Sequence, residues 1–192
     1  MPITTLTVDS AEAPALSWNV LATAKDGRQR ELARCLTRLG DFRWSHFPGL
    51  LLGRVEDQEA FFTQLMRCAE AQPGFLSPVA RIIPITRTVR FTTENLLYQL
   101  KEEVLGWASR IESRTFHVVC QRRGHAGSIH GQDLQHALDD TLIQYLRASG
   151  LQPRLEFSDP DVVIAVELID DVCGLGLIPK ALRVRFPFVR IS

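Results

Sequence analysis

Short apolar runs and two stretches of helical spacing alternate along the first half of the chain. LSWNVLATA at 16–24 reads as a strand. In KDGRQRELARCLTRLG, Leu32, Cys35, Leu36 and Leu39 recur at helical spacing, and Gly40 is a natural stop. FRWSHFPGLLLGRV reads as a hairpin turning at Pro48-Gly49. DQEAFFTQLMRCAEAQ is a second helix, with Asp57 as N-cap and Phe61, Leu65 and Cys68 inward. VARIIPITRTV closes the series as a strand. The predicted order over residues 16–90 is β-α-β-β-α-β.

The second half opens with a linker at Pro84–Thr93. A third helix, TTENLLYQLKEEVLGWASRI, carries a buried stripe of Leu96, Leu97, Leu100, Val104 and Trp107. In TFHVVCQ, Phe116, Val118 and Cys120 alternate with His117, Val119 and Gln121, the period of a strand. Residues 131–148 form a helix with Leu134, Leu138, Leu142 and Tyr145 or Leu146 inward. SDPDVVIAVELIDD and VCGLGLI follow as strands, and ALRVRFPFVRIS is extended or a loop folding back on the body. The fold class is α+β. A β-α-β-β-α-β unit of this kind is the ferredoxin-like, split βαβ arrangement.

Composition narrows the classes. At 45% hydrophobic and 23% charged, the 192 residues suit an ordinary globular protein. No apolar run approaches the ~20 residues of a membrane span, so no membrane partner is expected. Residues 1–14 read as a flexible lead-in without a secretory signal. Cys35, Cys68, Cys120 and Cys173 never form a CxxC pair and read as reduced thiols, pointing to the cytoplasm. Net charge is zero, but residues 81–130 carry 8 basic against 4 acidic side chains, and no acid follows Asp171 while Lys180, Arg183, Arg185 and Arg190 do. Two local positive segments therefore stand on a neutral background.

The chemistry-bearing stretch is TFHVVCQRRGHAGS at 115–128. A strand ends in Arg122-Arg123 and opens through Gly124 and Gly127 into a helix. Arginine offers a rigid donor fork, glycine lets backbone approach a ligand, and a helix N-terminus points free N–H groups at it. His125 adds a further donor, and Ser128 is a candidate N-cap for the helix. Together these suit a phosphate, and nucleic acid is the first hypothesis.

Residues ~93–178 resemble a THUMP domain, an α-α-β-α-β-β RNA-binding module. The resemblance rests on Thr115-Phe116, Arg122-Arg123-Gly124-His125, Gly127-Ser128, Gln132 and the block SDPDVVIAVELI. NVLATAKDGRQRELARCLTRLG, FPGLLLGRV and ARIIPITRTV are similar to the ferredoxin-like domain that precedes THUMP in the tRNA cytidine-acetylation adaptor family. The resemblance implies a ferredoxin-like domain at 15–90 and a THUMP domain with a C-terminal extension at 91–192. It also implies a non-catalytic, cofactor-free protein that grips the acceptor end of tRNA for a separate modifying enzyme. Carried over by position, Arg122, Arg123, Gly124, His125, Gly127 and Ser128 would meet the RNA, helped by nearby Arg87 and Arg90. Asp159, Pro160 and Asp161 would set a turn and strand entry.

Other signals have blander readings. His117, His125, His130 and His136 lack the spacing of a metal site. Asp159, Asp161, Glu167 and Asp170-Asp171 read as loop and edge charges rather than a catalytic pair. Gly174-Leu175-Gly176 is too short for a dinucleotide fingerprint. Trp18, Trp44 and Trp107 read as packing residues, with base stacking open to Trp44. A rival reading from another class is a THUMP-like scaffold that recruits an enzyme through apolar surface and binds no RNA.

Overall fold

The computed structural model of the protein describes residues 18–125 and 127–191. The lead-in at 1–14 lies outside the described residues. The first half contains β1 (Val20–Ala24), α1 (Gln29–Leu36), β2 (Asp41–Trp44), β3 (Leu50–Arg54), α2 (Gln58–Ala71) and β4 (Val79–Pro84). Its sheet has the order β2-β3-β1-β4, every neighbouring pair antiparallel. Local chemistry explains the punctuation. Gly49 sits at φ +73°, where the turn between β2 and β3 needs a left-handed residue. The Asp57 carboxylate accepts the Ala60 N–H at 2.8 Å and starts α2, a cap worth ~1 kcal/mol. Leu32 and Leu36 of α1 and Phe61, Phe62 and Leu65 of α2 supply the buried helical stripes.

The second half contains β5 (Arg87–Arg90), α3 (Leu96–Leu105), α4 (Ala108–Ile111), β6 (Thr115–Arg123), α5 (Gly131–Ala148), β7 (Arg154–Leu155), β8 (Val162–Ile169), β9 (Val172–Pro179) and α6 (Lys180–Arg185). Its five strands run in the order β5-β9-β8-β6-β7. β6 and β8 are parallel, so the chain between them must cross over, and α5 makes the crossing.

Three elements differ from the sequence expectation. VARIIPITRTV is two strands in two sheets. The Ile85 N–H donates to Asn19 O at 2.9 Å, and the next residue, Thr86, donates to Leu175 O at 2.7 Å. The chain passes from one sheet to the other at that bond, and Arg87–Arg90 within the expected linker is strand β5. The third helix divides at Gly106-Trp107 into α3 and α4. ALRVRF is not extended but begins with the short helix α6.

The sheets pack through β8 and β9. Val162, Ile164, Val166 and Leu168 face one core, shared with α3, α4 and α5. Val163, Ala165 and Ile169 face the other, shared with the first sheet. The Gly-Leu-Gly of β9 is a packing device. A Cβ on Gly174 would lie 2.1 Å from the Trp18 ring, and one on Gly176 would lie 2.2 Å from Pro84 O. Only glycine lets the first sheet come this close. Phe186, Phe188 and Val189 also enter the first core. Phe188 O accepts the Ile82 N–H at 2.8 Å, so the C-terminal segment covers the outer edge of β4.

Candidate nucleic-acid interface

β6 carries the candidate residues to the rim of the second sheet. Beyond its contact with β7, its outer edge is covered by α5. Asp139 Oδ1 accepts the Val118 N–H at 2.9 Å, and Gln135 Oε1 accepts the Cys120 N–H at 3.4 Å. Residues four apart on a helix share a face, so this pair meets alternate donors of one strand. Asp139 Oδ2 also lies 3.2 Å from His117 Nδ1. Burial pushes the Asp139 carboxyl up to about 7 and lowers His117. Burial likewise raises the Cys120 thiol to about 12, so it is not a thiolate at neutral pH.

The strand ends in a turn with three left-handed residues, Gly124 (φ +92°), His125 (φ +50°) and Gly127 (φ +88°). A Cβ on Gly124 would stand 3.2 Å from Asp170 Oδ1. His125 O accepts the Ser128 and Ile129 N–H groups and the Ser128 hydroxyl. The Ser128 side chain therefore closes the loop and does not cap the helix, correcting the expected N-cap. α5 begins at Gly131 behind His130, with no side-chain cap, which leaves its first N–H groups without a side-chain acceptor.

Sheet register separates the two arginines. Neighbours in a row share a face, and successive residues alternate. Arg122 aligns with Leu168, on the face covered by α3 and α5, whereas Arg123 aligns with Ile169, on the opposite face. Arg90 is in the Arg123 row, three strands and roughly 14 Å away. Arg87 lies on the Arg122 face, where its Nε is 3.2 Å from Glu103 Oε1. The structure therefore gathers Arg122, Arg123, Gly124, His125, Gly127 and Ser128 at one rim, places Arg90 farther along it, and leaves Arg87 away from the turn.

Most cations at this rim are already paired. Arg123 Nη1 is 3.1 Å from Glu167 Oε2, and Arg90 Nη1 is 2.8 Å from Asp171 Oδ2. Asp170 lies 3.4 Å from His46 Nε2. Glu167 is only 2% exposed and also binds Arg81 of β4 at 3.1 Å. It was expected among loop and edge charges; instead it is a buried acid at the centre of the sheet contact. Burial raises its pKa and lowers that of Arg81, and their mutual attraction opposes both shifts. Among the described residues Arg122 has no carboxylate partner. It is exposed, and its Nη1 donates to Gly124 O.

Three of the four C-terminal cations are similarly engaged, while Arg190 donates to Pro187 O at 2.8 Å. Lys180 and Arg183 meet Asp159, and Arg185 meets Glu59. Asp161 accepts from the Thr115 N–H at 3.0 Å and hydroxyl at 2.7 Å, tying the start of β8 to that of β6. Trp44 is 47% exposed on β2. Among the described residues no group of His, Cys, Asp and Glu could hold a metal, and no helix is long and apolar enough to cross a membrane.

Sequence reasoning missed one cationic feature altogether. Arg30, Arg34 and Arg38 recur every fourth residue, and all three are exposed. The spacing itself was a readable signal, masked by the neutral charge balance of the first 80 residues.

The fold is that of a mixed α+β protein with two sheets, the second carrying the strand–turn–helix of β6 and α5. Within it, residues 91–178 match the THUMP domain family, and the chain contains a THUMP domain. Similar solved structures include TrmN from Thermus thermophilus, 16% identical with a TM-score of 0.58 over 86% of this chain and 48% of that one. A 4-thiouridine synthetase in complex with RNA and ATP is 12% identical, with a TM-score of 0.53 over 84% of this chain and 41% of that one. PH1313 from Pyrococcus horikoshii is 12% identical, with a TM-score of 0.53 over 83% and 53%. At such identities the likeness is one of fold. The chain spans about half the length, or less, of these structures. No curated protein matches it in sequence.

Proposed function

We propose that the protein binds the acceptor end of tRNA without catalysing a reaction and presents it to a separate modification enzyme, a tRNA cytidine acetyltransferase, in the cytoplasm. On this reading a ferredoxin-like domain (15–90) precedes a THUMP domain with a C-terminal extension (91–192). The β-α-β-β-α-β order and the β2-β3-β1-β4 sheet support the first unit, and the family match supports the second. A structural neighbour solved with RNA bound adds support for the ligand class.

The observation that carries the proposal is the turn after β6. It sets the exposed Arg122, two left-handed glycines and the uncapped start of α5 beside one another. Donors of this kind meet phosphates, which position an RNA without reading its sequence. Specificity then comes from the distance between the gripped end and the partner's active centre. Arg123 is held by Glu167 and acts at the margin of the site.

The test is fluorescence anisotropy with bulk tRNA at several salt concentrations. Arg122→Ala is expected to weaken binding across tRNA species and to lower the salt slope by about one. An unchanged slope would remove the turn from the interface. The pairing of Arg87, Arg90 and Arg123 with carboxylates favours the scaffold as second reading; absence of any wild-type binding at micromolar protein would select it.

A further inference from the structure

Helix α1 of the first half presents a row of arginines to solvent. Leu32 and Leu36 face the core from α1. Arg30, Arg34 and Arg38 are offset from them by two residues, about 200° around the helix, so they form a stripe on the opposite side. The turn after α1 keeps Arg38 in line: Thr37 N–H donates to Ala33 O at 2.9 Å, and Leu39 N–H donates to Leu36 O at 2.9 Å. All three side chains are exposed, and among the described residues none has a carboxylate within ion-pair distance. The acid of α1 itself, Glu31, is taken up by Arg28. A shallow groove of about 220 Å³ runs beside the stripe, with Glu31, Arg34, Arg38 and Gln72 among its lining. Three like charges four residues apart repel one another and lower helix stability slightly; Glu31, bonded to Arg28, also attracts Arg34, and among the described residues none of the three forms an ion pair.

We infer that the α1 stripe is a second phosphate-binding surface, which holds consecutive phosphates of one RNA strand away from the turn after β6. The inference rests on the reading that this protein binds RNA. Four residues of helix advance ~6 Å, comparable with the separation of neighbouring phosphates along a strand. Three arginines thus present a ladder of the right pitch and sign. Guanidinium groups suit this ligand better than ammonium groups because two N–H donors can meet two oxygens of one phosphate.

The experiment compares three proteins in tRNA titrations at several salt concentrations: the wild type, Arg30→Ala/Arg34→Ala/Arg38→Ala, and Arg110→Ala/Arg147→Ala/Arg154→Ala. The last removes three exposed charges from the second half of the chain. The α1 variant is expected to bind about tenfold more weakly or worse and to lower the salt slope by about two, whereas the control stays near wild type. Arg→Lys changes at the three α1 positions should restore most of the slope. Thermal melts check that each variant is folded. If wild type binds and the α1 variant matches it, or both triple variants weaken equally, the stripe is not a binding surface while the RNA reading stands. If wild type binds no tRNA, both readings fall.

Discussion

The turn after β6 and the α1 stripe are both rich in arginine, yet the protein uses them differently. At the turn, Arg90 and Arg123 face Asp171 and Glu167, with Asp170 held by His46, and Arg122 is left as the unpaired guanidinium. Along α1 and its two ends, Arg28 forms an ion pair with Glu31; among the described residues Arg30, Arg34 and Arg38 form none. A count of arginines barely separates the two, with Arg90, Arg122 and Arg123 at the turn and Arg28, Arg30, Arg34 and Arg38 along the helix. A count of uncommitted ones favours the helix. Attraction for a polyanion depends on the second count, because a cation with an internal partner brings little net field to the surface.

The contrast predicts opposite rankings for stability and for binding. The largest stability effect belongs to Glu167→Gln. It leaves Arg81 and Arg123 without a counter-charge in a largely buried place, a loss of about 3 kcal/mol, toward the low end of the usual range because Arg123 is partly exposed. Urea denaturation measures it. A loss under about 1 kcal/mol would mean that the sheets are not held through this acid.

The next effect is a pH dependence. The folded Asp139 pKa, pushed up to about 7 by burial, lies above its unfolded value. Stability from this group is then full below the unfolded pKa and is lost as pH rises through about 7. Asp139→Asn removes this loss, so the melting temperature of the variant should gain on wild type between acidic and mildly alkaline pH. His117, lowered by burial, works in the other direction and remains in both proteins. A constant difference between the two melting curves over that range would contradict the assignment.

The smallest stability effect is expected where the binding effect is largest. Removing Arg30, Arg34 and Arg38 together should change unfolding free energy by no more than about 0.5 kcal/mol per site, because exposed residues without internal partners seldom contribute more. A substantially larger loss would show that the stripe has a structural duty.

Periodicity made much of the architecture readable. Leu32 and Leu36, Phe61 and Leu65, and Leu134, Leu138 and Leu142 are buried at helical spacing as their pattern implied, and β6 alternates as TFHVVCQ suggested. Partnership was not readable. The run through Pro84 looks extended on both sides, and only the donors of Ile85 and Thr86 reveal that it changes sheets. Gly174-Leu175-Gly176 was readable as no dinucleotide fingerprint, but its packing role depends on Trp18, more than 150 residues away. Glu167 looked like an edge charge because its counter-ions, Arg81 and Arg123, are 86 and 44 residues away. The candidate turn was found by its residue types, but which of its cations are uncommitted depends on acids brought in by β8 and the β8–β9 turn.

The most direct measurement is the affinity of the unmodified protein for bulk tRNA as salt is raised. With Arg122 and the three α1 arginines in contact with phosphates, log affinity should fall against log salt with a slope of about −3 or steeper. A flat line, or no complex at micromolar protein in low salt, would contradict the account.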